Sequence, residues 1–312
     1  MKTKMKTHHA LCGLLSGLLL LAAGTAQTHA GLLVPAAAGS QLYVANYNNN
    51  TVDKITPGGV GSLFANTGMS GPHDLAFDSA GNLYVANYGS NTIEKFTPGG
   101  GGSVFASTSR PVGLAFDSAG NLYASSYSSN TITKFTPGGV GSLFANTGLS
   151  TPFGLAFDGA GNLFASNVGN NTIEKFSSVG ADLGVFADSS DGLSTPVGLA
   201  FDSAGNLYSE NGAGGQILKF TPGGVGSVFS STGLSGANGL AFDSAGNLYV
   251  ANQINSTIRK FSSSGTDLGV FADSSDGLSG PVALAFGPVP EPGTALLLLG
   301  SGAMLLLRRR RA

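Results

Sequence analysis

The chain has no tryptophan, one cysteine, four histidines and charged side chains at only 10% of its 312 positions. Each shortage excludes something. A disulfide framework or a cysteine-held metal needs more than the single Cys12. Disorder of the usual kind needs low hydrophobicity and high net charge. Here 42% of residues are apolar and the formal charge is −2. Glycine is what the chain has in excess: 49 residues, against an ordinary usage of about 7%. These glycines do not recur every third position, so collagen is excluded. They suit short strands joined by tight turns. Length alone would suggest about two domains.

An internal repeat replaces that estimate. The segment GLAFDSAGNLYVAN recurs with small changes, and its leucine falls at Leu42, Leu83, Leu122, Leu163, Leu207 and Leu248. A period near 40 with four strand-like runs is the mark of a β-propeller. In the second copy the runs are Asp74–Asp78 (a), Asn82–Ala86 (b), Thr92–Phe96 (c) and Ser103–Ala106 (d). All are short, rich in β-branched or aromatic residues and bounded by turn residues. Asp78-Ser79-Ala80-Gly81-Asn82 reads as a tight a–b turn, and Thr97-Pro98-Gly99-Gly100 as the c–d reversal. Ala76, on the opposite side of strand a from Leu75 and Phe77, suits a position where blades crowd together.

The array begins with b-c-d at Leu42 and ends with an a strand over Ala283–Gly287. Joining those ends completes a sixth blade and removes two open edges. The fold class is therefore all-β: a six-bladed propeller of four-stranded antiparallel blades, closed by N-terminal b-c-d strands pairing with the C-terminal a strand, over 31–288. Leu32-Leu33-Val34 is an alternative first a strand, which Pro35 disfavours. The unit resembles the NHL repeat: Arg110-Pro111-Val112-Gly113-Leu114-Ala115-Phe116-Asp117 and Gly120-Asn121-Leu122-Tyr123-Ala124 carry its pattern. That resemblance, over roughly 39–287, implies six blades and little about chemistry.

The two termini read as addresses. Residues 1–30 look like a secretory signal, with Lys2, Lys4 and Lys6, an apolar stretch from Ala10 to Ala23 and the small-residue site Thr28-His29-Ala30. Cys12 would leave with it. From Pro288 the sequence reads PVPEPGTALLLLGSGAMLLLRRRRA. Thr294–Leu307 would span about 21 Å as a helix, less than a bilayer core of about 30 Å. Snorkelling arginines and local thinning can make up the difference. Val289-Pro290-Glu291-Pro292, the short apolar segment and Arg308, Arg309, Arg310 and Arg311 resemble, in that order, the PEP-CTERM sorting signal of Gram-negative bacteria. The resemblance implies an exosortase-type processing enzyme, transient inner-membrane contact through 289–312 as a C-terminal helix, and delivery to the envelope, surface or exterior. An ordinary tail anchor is the plainer alternative.

Between 31 and 290 there are eight basic and sixteen acidic side chains, a net charge of −8. An acidic body argues against nucleic acid, whose phosphates require a basic surface. Residues that occur once per copy have structural readings first. Asp78, Asp117, Asp158, Asp202 and Asp243 belong to the a–b turn, and Lys54, Lys95, Lys134, Lys175, Lys219 and Lys260 mark strand c. Asp188–Gly192 and Asp273–Gly277 lack the ligand spacing and final Glu of a calcium loop and read as solvated loops.

Alternating strands put the d–a and b–c links on one face and the a–b and c–d links on the other. The b–c links all differ: YNNN, YGSN, YSSN, VGNN, GAGG, QINS. At the axis of that varied face sit the middle residues of Pro-x-Gly: His73, Val112, Phe153, Val197, Asn238 and Val282. Asp74 stands where glycine is usual, Arg110 precedes a proline, and Glu210 replaces a small strand-b residue. His73, Asp74, Arg110, Phe153, Glu210 and Asn238 are thus the candidate ligand-binding set, fit for a small polar or sugar-like molecule. A loosely polar, water-filled hub is the plainer reading. No nucleophile elbow, zinc pattern or phosphate loop occurs, and no cofactor or metal is implied. The expectation is an exported binding or structural module associated with extracellular polysaccharide or an envelope protein. The alternative is a metal-dependent lactonase- or lyase-like enzyme using His73, Asp74 and Glu210, since such enzymes occur among six-bladed relatives.

Overall fold

Each repeat folds into one four-stranded antiparallel sheet, and the computed structural model describes residues 40–288. The strands number β1 to β24 in chain order. Blade 2 is β4 (Pro72–Phe77), β5 (Leu83–Asn87), β6 (Thr92–Phe96) and β7 (Gly102–Ser107). Blade 3 is β8 (Pro111–Phe116), β9 (Leu122–Ser126), β10 (Thr131–Phe135) and β11 (Gly141–Ala145). Blade 4 is β12 (Pro152–Phe157), β13 (Leu163–Asn167), β14 (Thr172–Phe176) and β15 (Asp182–Ala187). Blade 5 is β16 (Pro196–Phe201), β17 (Leu207–Asn211), β18 (Gln216–Phe220) and β19 (Gly226–Ser230). Blade 6 is β20 (Ala237–Phe242), β21 (Leu248–Asn252), β22 (Thr257–Phe261) and β23 (Asp267–Ala272).

Blade 1 is the composite one. β24 (Pro281–Phe286) pairs with β1 (Leu42–Asn46), followed by β2 (Thr51–Ile55) and β3 (Gly61–Ala65). The seam register sets Leu42 opposite Phe286 and Ala45 opposite Ala283. The ring is therefore closed by its two ends, in six blades. Strand a begins two residues earlier than the sequence suggests. Pro72 already lies opposite Asn87, and a first strand residue is a place where the missing N–H is tolerated.

Burial explains the strand composition. The b strands are sandwiched between neighbouring blades and are buried along their length, whereas β7 at the rim is mostly exposed. Six apolar clusters fill the gaps between blades. The one between blades 1 and 2 contains Val52, Leu75, Leu83, Val85 and Phe96, and the one between blades 6 and 1 contains Leu42, Val44, Tyr249, Ile258 and Leu284. An aromatic relay joins the blades. Tyr84 packs edge-on against Phe105 of its own blade at 4.9 Å and Phe116 of the next at 5.0 Å. Tyr249 of blade 6 and Phe286 of blade 1 repeat that contact at 5.2 Å. Such pairs contribute about 0.5–1.5 kcal/mol each beyond area burial. Ala76 packs into the cluster between blades 2 and 3. Between neighbouring a strands the close approach falls instead on the glycine of Pro-x-Gly: a Cβ on Gly113 would overlap the Phe153 carbonyl, and one on Gly198 the Asn238 carbonyl.

The repeated polar residues close turns. Asp78 Oδ1 accepts the amides of Ala80 and Asn82 at 3.0 and 2.8 Å. Its Oδ2 accepts from Asn82 Nδ2 and Tyr84 Oη and faces Lys95 Nζ at 3.6 Å. The same aspartate–lysine pair recurs in blades 3 to 6. The two DSSDG segments form 3-10 turns with reciprocal capping, Asp188 Oδ1 accepting from Ser190 N and Asp191 Oδ2 from Asp188 N. Those carboxylates are committed to backbone amides. No helix among the described residues is long and apolar enough to cross a membrane. The signal segment 1–30, the Leu32–Val34 alternative and the C-terminal apolar helix lie outside the described residues.

Candidate functional site

The varied face is scaffolded by asparagines. The last residue of most b–c links takes a left-handed backbone, as at Asn50, Asn91, Asn130 and Asn171, a conformation asparagine tolerates better than most residues. Their Oδ1 atoms accept amides from the following d–a links: Gly71 at 2.7 Å, Arg110 at 2.9 Å, Thr151 at 2.7 Å and Thr195 at 2.7 Å. A second asparagine ends strand b. Asn87, fully buried, accepts from Ser70 N and donates to Gly68 O.

The axis of this face is lined by His73, Asp74, Phe153 and Asn238 of the sequence-derived set, together with Val112, Val282 and the strand-a glycines. The enclosed space is about 40 Å³, enough for a few waters and far below the several hundred Å³ of ordinary ligand pockets. Burial dominates its chemistry. It pushes Asp74 up to about 7, although Oδ1 and Oδ2 accept the amides of Leu75 and Leu114 at 2.8 and 2.7 Å. It pushes His73 down to about 4, so the imidazole is neutral near pH 7. Buried His73 Nδ1 and Asn238 Oδ1 have no hydrogen-bond partner.

Arg110 sits at the rim, its guanidinium 5.3 Å from the Tyr88 ring centre and Nη1 donating to Ser128 Oγ at 3.3 Å. Glu210 departs from the expected set. It is 1% exposed and does not line the axis. Strand b's fourth position faces the gap between blades. In blades 3 and 4 that position holds Ser125, which accepts from Gly113 N and donates to Phe153 O, and Ser166, which accepts from Gly154 N and donates to Val197 O. At the corresponding place in blade 5, Glu210 has a carboxyl raised to about 9 by desolvation, and Oε2 is unpartnered.

The sequence reading missed three tyrosines. Tyr47, Tyr88 and Tyr127 open the b–c links of blades 1, 2 and 3 and build an aromatic sector around His73. Ring centres of Tyr47, Tyr88 and Phe153 lie 5.2, 5.1 and 5.6 Å from the imidazole, and Tyr127 lies 6.1 Å from Tyr88. The signal was present as tyrosine at the head of three of the six links. In blade 6 Asn238 Nδ2 donates to Gln253 Oε1 at 3.4 Å, and in blade 5 Gly212 lies against Thr195 and Val197. The b–c links of these two blades, GAGG and QINS, hold no aromatic ring. A separate open groove of about 360 Å³ lies between blades 2 and 3, floored by Thr133 and Phe135. There the d–a link is only Thr108–Arg110, the shortest of the six.

Comparison with known proteins defines the class. Residues 69–96 match the NHL repeat, and residues 288–311 match the PEP-CTERM protein-sorting motif. No curated protein matches the sequence. Among solved structures, a chain of a nidogen/laminin complex is similar at 19% identity, covering 79% of this chain and 97% of that one, with a TM-score of 0.70. A streptogramin B lyase matches at 18% identity over 82% of this chain and 90% of its own, TM-score 0.64. Virginiamycin B lyase from Staphylococcus aureus matches at 17% identity over 74% and 80%, TM-score 0.58. Likeness at these identities carries the fold alone. The chain is a six-bladed β-propeller containing an NHL repeat. It bears a PEP-CTERM motif, which marks it for export and sorting to the cell envelope or surface and implies processing by an exosortase-type enzyme.

Proposed function

We propose that the sorted propeller is a binding or structural module of the cell envelope or extracellular matrix, and that its mouth holds polysaccharide. The observation that carries this reading is the half-ring of Tyr47, Tyr88, Tyr127 and Phe153 around His73. Half-buried aromatic faces suit the C–H faces of sugar rings. The asparagine- and serine-rich b–c links beside them supply donors and acceptors. His73 Nδ1 and Asn238 Oδ1 are buried along the axis without a protein partner. Water held in that small space satisfies them and bridges to a ligand above, because a buried polar atom left unpaired is costly. The narrow axis keeps the ligand on the mouth rather than inside it.

The lactonase- or lyase-like reading draws less support. Glu210 lies off the axis that His73 and Asp74 line. Among the described residues no three His, Cys, Asp or Glu side chains are grouped to hold a metal. The test is retention of envelope and matrix polysaccharide on the immobilised protein, with a glycan array alongside. Retention of a defined glycan is expected. Retention of none, together with turnover of a lactone or cyclic depsipeptide that is lost in His73→Ala, overturns the reading.

A further inference from the structure

Both ends of the described chain leave from one face, the one opposite the mouth. Gly287 N donates to Gln41 O at 2.8 Å. A Cβ on Gly81 would stand 3.1 Å from Pro288 Cγ and 3.7 Å from Pro98 Cγ, so Pro288 rests against the a–b and c–d turns of blade 2.

That face has an unusual surface for an acidic body. None of the six c–d turns (56–60, 97–101, 136–140, 177–181, 221–225, 262–266) holds a charged residue. Four present valine to solvent: Val60 is 64% exposed, Val140 69%, Val179 84% and Val225 69%. Exposed prolines 57, 98, 137 and 222 stand beside or between them. The five a–b aspartates are each paired with a lysine. Lys54 has no carboxylate within ion-pair distance among the described residues, because Gly287 occupies the place of the sixth aspartate. The turns and their lysines therefore carry no negative excess, while the body as a whole is at −8.

The tether is short. Seven residues, three of them proline, separate Phe286 from Thr294, the start of the apolar tail segment. Fully extended they reach at most about 25 Å, and proline-rich spacers are stiff. We infer that, while the tail is inserted, the a–b and c–d turn face rests on the lipid surface. The valine tips enter the headgroup layer, Lys54 faces anionic lipid, and the mouth points away from the membrane. Small apolar tips and an unpaired cation are what an interface between water and anionic lipid favours. This inference rests on the sorting reading of the tail.

The test uses the full chain, with Cys12→Ser, reconstituted into phosphatidylethanolamine–phosphatidylglycerol vesicles. Single cysteines replace Val179 on the turn face or Ser129 on the mouth, and each carries an environment-sensitive fluorophore. Co-flotation, with a blue shift and quenching by a lipid-borne quencher at position 179 but not at 129, is expected. Co-flotation with equal, unshifted emission at both positions, or with the shift at 129 alone, overturns the docking face and leaves the tail reading standing. Failure to float overturns the tail reading and the docking face with it.

Discussion

The amide of Gly287 donates to the carbonyl of Gln41 at 2.8 Å, from opposite ends of the described chain. Within one copy, Asp78 N and Asn82 O make the same bond at 3.0 Å. The seam is thus an a–b turn cut open. What holds it is strand pairing and apolar packing rather than chain continuity. Leu42, 1% exposed between blades 6 and 1, is its anchor. Leu42→Ala should cost about 2–5 kcal/mol, read as a lowered denaturation midpoint. A change near zero would show that the seam carries no part of the stability.

Asn87 tests the loop scaffold. Its amide ties Ser70 N and Gly68 O to the end of β5. Asn87→Ala removes two part-buried hydrogen bonds, to the Ser70 amide and the Gly68 carbonyl, at a cost of about 1–3 kcal/mol in all. Hydrogen exchange should accelerate over 66–71 before it does elsewhere. Uniform acceleration across all blades would contradict a local role.

Stability should fall as the solution becomes alkaline. Glu210 is raised from 4.5 to about 9 by burial. Between those values the folded state keeps a proton that the unfolded state has lost. Its contribution is therefore fully present below about 4.5 and disappears as pH rises through 9, at up to about 1.4 kcal/mol per pH unit. Asp74 acts in the same direction up to about 7. His73, lowered to about 4, acts oppositely between 4 and 6.5, where the unfolded imidazole binds the proton. Of these three groups, Glu210 alone still acts above about 7. Glu210→Gln should flatten the decline of the thermal midpoint between pH 7 and 9, and an unchanged slope would remove Glu210 as its cause.

The tyrosine sector separates binding from folding. Tyr47 is 36% exposed, and Tyr88 and Tyr127 are half-buried at the mouth. Replacing all three by alanine should weaken glycan retention at least about tenfold, since each stacking contact is worth about 0.5–1.5 kcal/mol. Circular dichroism should still report a folded β-protein. Unaltered retention would move the ligand elsewhere, with the groove between blades 2 and 3 as the next surface to mutate.

Blade number, the seam and the turn role of Asp78 and its copies were legible in the sequence because a 40-residue period repeats each local decision. Errors in one copy are corrected by the other five. The site was less legible because it is built from what does not repeat. His73, Asp74, Phe153 and Asn238 could be placed at the axis from the Pro-x-Gly position alone. Glu210 was placed there too, but the side-chain alternation of strand b turns it into the gap between blades. Tyr47, Tyr88 and Tyr127 read as loop residues until the links were seen converging on His73. Asn87 lies one residue past the strand b read from the sequence and drew no reading there, since its partners lie in the preceding d–a link and no local pattern exposes that contact.

Ring closure is tested most directly by cross-linking the seam. Ala45 and Ala283 are register partners on β1 and β24, and directly opposed Cβ atoms lie about 4.5–5.5 Å apart, near disulfide reach. In a Cys12→Ser background, Ala45→Cys with Ala283→Cys should form an intramolecular disulfide under mild oxidation, while Ala45→Cys with Ala285→Cys should form little. Absence of the first cross-link, or its formation only between molecules, would contradict a propeller closed by its own ends.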